Sequence, residues 1–136
     1  GGGCMTGREV YVKALSLINE RDSRGDLHND TSDYEANAPD LLNIIIPQVW
    51  ADDCCVRGIA PRDYRYTVER ITSLDAELPL HSAVAAIIPY LLASLLIHEE
   101  DMTRSEYYRR MFVSSENALL AAFTNAKHTS IADVYS

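Results

Sequence analysis

The chain has no glycine after Gly58. A loop that cradles phosphates on its backbone N–H groups needs glycines in close order before a helix, so a phosphate-binding loop is excluded there. Basic residues are also few: 12 Lys and Arg stand against 20 Asp and Glu, a formal net charge of −8. A protein that grips nucleic-acid phosphates needs a cationic face, and this balance argues against one. It suits instead a wall past which a duplex slides, because like charges repel. Cysteines number three, Cys4, Cys54 and Cys55, and an odd count with an adjacent pair makes a poor disulfide framework. Neighbouring side chains on a helix point about 100° apart, so two free thiols are expected, at least one in the core, as in a reducing cytosol. Long apolar runs are missing too. The longest, residues 83–97, contains Pro89 and reads as a buried helix, too short for a membrane span. No secretory leader is expected; Gly1-Gly2-Gly3-Cys4 reads as an appended remnant ahead of Met5, the natural start.

What is present suffices for a core. Hydrophobic residues make up 47% and charged residues 24% of 136 positions, which fits one domain that needs neither disulfide nor metal to fold. The organisation is read as 5–127 for this domain and 128–136 for a C-terminal tail. The predicted fold is all-α, about four helices in a compact bundle with a short extended arm between the second and third.

Local signals place the helices. Thr6-Gly7-Arg8-Glu9 is a capping box, and Val10, Ala14, Leu17 and Ile18 follow as one apolar stripe. Residues 22–33 carry many side chains that bond their own backbone and read as a loop. A second helix runs from Ser32 or Asp33 to Arg57, with Leu41, Leu42, Ile45, Ile46, Val49 and Trp50 as its wide buried face. Pro47 inside it frees the Asn43 carbonyl and predicts a kink. Gly58 is placed to end it in the left-handed conformation. Residues 59–79 mix aromatic, β-branched and charged types and predict a short strand or extended arm. The third helix, 81–100, is apolar nearly all round and so central, with a kink at Pro89. The fourth opens on Thr103-Arg104-Ser105-Glu106, a second capping box. It buries Tyr108, Met111, Phe112, Ser115, Leu119, Ala122 and Phe123, and Lys127 sits near its end.

The chemistry-bearing patterns point away from catalysis. A di-metal bundle needs Glu-x-x-His on two helices, and no Glu here has a His three residues later. His98-Glu99-Glu100-Asp101 reads as a solvated helix end rather than a metal site. The acidic loop 22–33 lacks the calcium-loop order and its terminal Glu. Cys54 and Cys55 stand beside Asp52 and Asp53, and negative neighbours raise a thiol pKa, which is wrong for a nucleophile. Tyr64 and Tyr66 with Arg62 and Arg65 are too few for a base-stacking platform. They fit a protein contact instead, where Tyr and Arg are favoured anchors. Ile131, Val134 and Tyr135 are candidates as well, because apolar residues in a loose tail often dock on their own chain or on a neighbour. The expectation is a non-enzyme with no catalytic, cofactor or metal residues.

Four stretches together resemble a known family. They are Arg8-Glu9-Val10-Tyr11-Val12-Lys13-Ala14-Leu15-Ser16-Leu17, then Ala38-Pro39-Asp40-Leu41-Leu42-Asn43-Ile44-Ile45. Next is Ile71-Thr72-Ser73-Leu74-Asp75-Ala76-Glu77-Leu78-Pro79-Leu80. Last is Ile88-Pro89-Tyr90-Leu91-Leu92-Ala93-Ser94-Leu95-Leu96, followed by an acidic break and Tyr107-Tyr108. In this order the chain resembles the head–tail connector (adaptor) proteins of tailed phages, over most of residues 5–127. The family shows Leu-Pro-Tyr-Gly-Leu-Ala where this chain has Ile88-Pro89-Tyr90-Leu91-Leu92-Ala93, with Leu91 in place of Gly. The resemblance implies a cofactor-free structural protein of the virion neck, assembled in the host cytoplasm. It implies a homo-oligomeric ring of about a dozen copies joining the portal to the next neck or tail protein, with DNA passing through unread and no membrane contact. The other reading of the same residues is a small intracellular helical bundle that binds or regulates other proteins.

Overall fold

The structure, a computed structural model, describes residues 5–21, 32–60 and 70–135, with side chains described at 5–19, 33–60 and 70–124. Six helical segments follow one another: α1 (Gly7–Arg21), α2 (Ser32–Gln48), α3 (Trp50–Arg57), α4 (Ser82–Ala85), α5 (Ile88–Leu96) and α6 (Met102–Tyr135). They are the four expected helices, two of them broken near proline. Pro47 has no N–H to offer the Asn43 carbonyl. Two residues later Val49 leaves helical geometry, at φ −98° and ψ 6°. Its N–H is shared between the Ile45 and Ile46 carbonyls, each at 3.2 Å, and α3 starts at once. The other break falls at Ala86 and Ile87, and α5 then carries Pro89 in its first turn, where a missing N–H loses no bond.

The termini of the helices follow elementary accounting. The Glu9 N–H donates to Thr6 Oγ1 at 3.2 Å, and the Thr6 N–H reaches Glu9 Oε1 at 3.5 Å. This is the expected capping box. Gly58 ends α3 at φ 71°. Its N–H donates to Cys55 O while the Ile59 N–H donates to Cys54 O, the paired bonds of a left-handed helix end. The start of α6 differs from expectation. Asp101 is its cap, accepting the Arg104 N–H at 3.0 Å, and Thr103 already lies inside the helix.

Residues 70–80 are non-helical, with a turn at Leu74 and Asp75, and the strap they form is not a free arm. The Leu78 N–H donates to Met5 O at 2.8 Å, and the Gly7 and Arg8 N–H groups donate to Ala76 and Leu74 O. The strap thereby satisfies the first donors of α1, which have no partner inside their own helix. A Cβ at Gly7 would lie 3.1 Å from Leu42 Cδ1 and 3.2 Å from Leu74 O, so glycine permits this close approach. The Asn43 amide completes the attachment: it donates to Ile71 O and accepts from Ile71 N, both at 2.8 Å. Ile71, Leu74, Leu78 and Leu80 are buried.

Helix α5 is the centre. It packs against α1, α2 and α6, and seven of its nine residues are buried. Val10, Ala14 and Ile18 of α1 and Leu42, Ile45, Ile46 and Val49 of α2 bury their stripes against it, as the periodicity predicts. Leu17, Leu41 and Trp50 are only half-buried. Helix α6 departs further. Tyr108 and Phe112 are buried, but Met111, Ser115, Leu119 and Phe123 are half-buried and Ala122 is exposed. Its backbone also continues as helix to Tyr135, past the end expected near Lys127.

Candidate interaction surface

The residues expected to make contacts divide in two. Arg62, Tyr64, Arg65 and Tyr66 lie outside the described residues. Ile131, Val134 and Tyr135 lie on the helical backbone of α6, with their side chains outside the described ones. The surface is therefore built from neighbouring features that sequence reasoning did not single out.

The first feature is α6 itself. Its 34 residues make a rod about 51 Å long at roughly 1.5 Å per residue. A compact domain of 136 residues has a radius of gyration of about 14 Å and is only about 37 Å across. From 113 to 124 no residue is buried. Met102, at 67% exposure, and Val113, at 43%, stand eleven residues apart, which is three helical turns and one face. Half-buried Leu120 follows seven residues on. Arg109 and Arg110 lie exposed beside them. The repeat at eleven and seven was legible in the sequence, but it competes with the stronger stripe through Tyr108 and Phe112.

The second feature is a groove of ≈ 480 Å³ between α2 and the end of α5. Leu41, Leu95 and Leu96 line its apolar part, and Asp33, Asp40, Glu99 and Glu100 its acidic part. Tyr34 donates its hydroxyl hydrogen to Glu100, and Arg70 stands 3.6 Å from Asp40.

Buried polar ties hold these features in place. Asp53 is fully buried. It accepts from Arg57 Nε at 2.8 Å and from the His81 N–H at 2.7 Å, tying α3 to the start of α4. His81 Nδ1 in turn accepts the Ala83 N–H. On α6, Arg104 donates to Ile18 O at 2.6 Å and to Tyr108 Oη at 3.0 Å, and Tyr108 donates to Leu17 O at 2.7 Å. The C-terminal part of α1 is thus tied to another helix, with a cation near the negative end of its dipole. Ser94 and Ser105 exchange bonds: each hydroxyl donates to the other's carbonyl at 2.8 Å. His98 Nδ1 lies 3.4 Å from Ser105 Oγ, yet that hydroxyl hydrogen is committed to Ser94 O. The pair clamps α5 to α6.

The far part of α6 is held more thinly. Phe123 meets His81 edge-on at 6.4 Å between ring centres. Glu116 stands against Asp52 of α3, whose exposure is 7%. Burial and then Glu116, as hydrogen-bond partner and as like charge, push the Asp52 carboxyl up to about 7. Cys54 is buried and Cys55 exposed, both as free thiols. Burial first, and Asp53 second, raise the Cys54 thiol pKa, the direction expected for a thiol in the core. Among the described residues no group of three or more His, Cys, Asp or Glu is placed to hold a metal ion, and no helix is long and apolar enough to cross a membrane. No protein family, curated protein or solved structure matches the chain.

Proposed function

We propose that the chain is a structural protein that assembles into a ring. In the virion neck of a tailed phage, this ring joins the head's portal to the tail and extends the DNA channel. The observation that carries this reading is α6. Its backbone outruns the compact body, and its outer face presents Met102 and Val113 to solvent. The face that Met102 and Val113 share with exposed Arg109, uncovered by the described residues, is available to a neighbouring copy. When one patch meets a different patch on the next copy, repetition closes into a ring. The sequence resemblance and the net charge of −8 support the same reading, since an acidic lining repels the passing duplex. No catalytic step is assigned.

The acidic groove beside α2 supports a second reading, a small bundle that binds basic partner proteins through that groove. Light scattering after gel filtration, with electron microscopy of the same fractions, separates the two. Rings with a central hole, formed alone or on added portal protein, support the connector. A monomer or dimer that binds no portal and captures a lysine-rich peptide overturns it in favour of the bundle.

A further inference from the structure

We propose that Asp52 and Glu116 share one proton across the α3–α6 interface, and that loss of this proton to solvent releases the distal part of α6 from the body. The inference concerns the fold alone and stands whether or not the chain forms rings.

The geometry is a buried acid without a donor. Asp52 is more than nine-tenths buried, and its Oδ2 receives no hydrogen bond from any amide, hydroxyl or cation among the described residues. A buried charge in that position must be paired or neutralised. The group that meets it is another carboxyl, that of Glu116. Two carboxyls in contact bind each other only when one is protonated, as O–H donor to the other's carboxylate.

The charged groups around the pair do not substitute for that proton. On α3, Asp53 is taken up by Arg57 and by the His81 N–H, and Cys55 is exposed. At the start of α4, His81 uses Nδ1 to accept the Ala83 N–H and sets its ring against Phe123. On α6, no cation is among the groups that shift Asp52. The position of the pair gives it leverage. It lies one turn past Phe112, the last buried residue of α6. Beyond it, among the described residues, the helix makes half-buried contacts, Leu119 and Phe123 against the core.

The sign follows from linkage. The docked state binds its proton up to about pH 7, whereas an exposed Asp gives it up near its ordinary value of about 4. Docking is therefore fully favoured below about pH 4, weakens as pH rises, and levels off above about 7. Between about pH 5.5 and 8.5 the docking equilibrium should fall by about 30-fold.

The test is hydrogen–deuterium exchange of the amides at 113–124, corrected for intrinsic base catalysis, on the full chain across this range. The expected result is a loss of protection that levels off near neutral pH in the wild type. Asp52→Asn can donate its amide to Glu116 at any pH and should keep these amides protected throughout. Glu116→Gln should also remove the step, and a native near-ultraviolet spectrum shows that either variant is folded. Protection that does not change with pH in the wild type overturns the proposal, as does a step that persists in Asp52→Asn. Protection restored at high pH by millimolar magnesium or calcium also overturns it, because the site would then hold a cation in place of the proton.

Discussion

Asp53 shows how much one side chain ties together. Its two oxygens are divided between a guanidinium on its own helix and the first backbone donor of the next. Removing the carboxylate leaves the His81 N–H without its acceptor and the partly exposed Arg57 without its partner, which is worse than never having built the pair. Asp53→Ala should lower unfolding stability by about 3 kcal/mol, read as a lower urea midpoint at unchanged slope. Asp53→Asn keeps an acceptor for His81 and should lose about half as much. Tyr108→Phe is a subtler case. The ring keeps its packing, but Leu17 O loses its donor and Arg104 loses one acceptor, so a loss of about 1–2 kcal/mol is expected by the same measurement. Residue-level signals were legible where they depend on near neighbours. Thr6 and Glu9, Gly58, and the kink that follows Pro47 all read directly. Asp52 was legible only as an acidic neighbour of a thiol, because its partner is 64 residues away and no local pattern encodes that meeting.

At the scale of elements, the helices were readable and their junctions less so. The stripes through Val10 and Ile18 and through Leu42 and Val49 fix which faces turn inward. The start of α6 was misread because two caps compete within three residues. Thr103 with Glu106 fits the capping-box spacing, but a box there would place Ser105 before the first full turn. Asp101 caps instead, and Ser105 then sits in helical register with Ser94. The tail was read as loose because its residues are polar and carry little periodic signal, yet backbone hydrogen bonding continues from a long helix already nucleated. The strap at 70–80 was read as part of an arm because residues 59–79 mix aromatic, β-branched and charged types with no helical period. Its burial depends on Asn43, whose amide imitates a neighbouring strand. Asn43→Ala should leave Ile71 without either bond and cost about 2 kcal/mol. If the strap docks as a unit, exchange of the Leu78 amide, bonded to Met5 rather than to Asn43, should also accelerate.

For the whole molecule, the body and the outgrowing helix make separable demands. Among the described residues every buried one of α6 lies at or before Phe112, so the core they form is complete without the last turns of the helix. Assembly, on the connector reading, draws on the outer face of α6 and on the segment 128–136. Truncation after Lys127 therefore distinguishes the two. The shortened chain should keep its near-ultraviolet spectrum and its urea midpoint, because every described core residue is retained. It should fail to form rings, alone or on portal protein, because a heterologous interface that loses one of its two patches cannot propagate. A truncated chain that still assembles would show that the Met102–Val113 face suffices without the tail. There Val113→Asp would be the disruptive change, since it places a charge inside an apolar contact. High salt separates the two faces further. Assembly through Arg109 and Arg110 against a neighbour's carboxylates should weaken as salt rises, while assembly through Ile131, Val134 and Tyr135 should not.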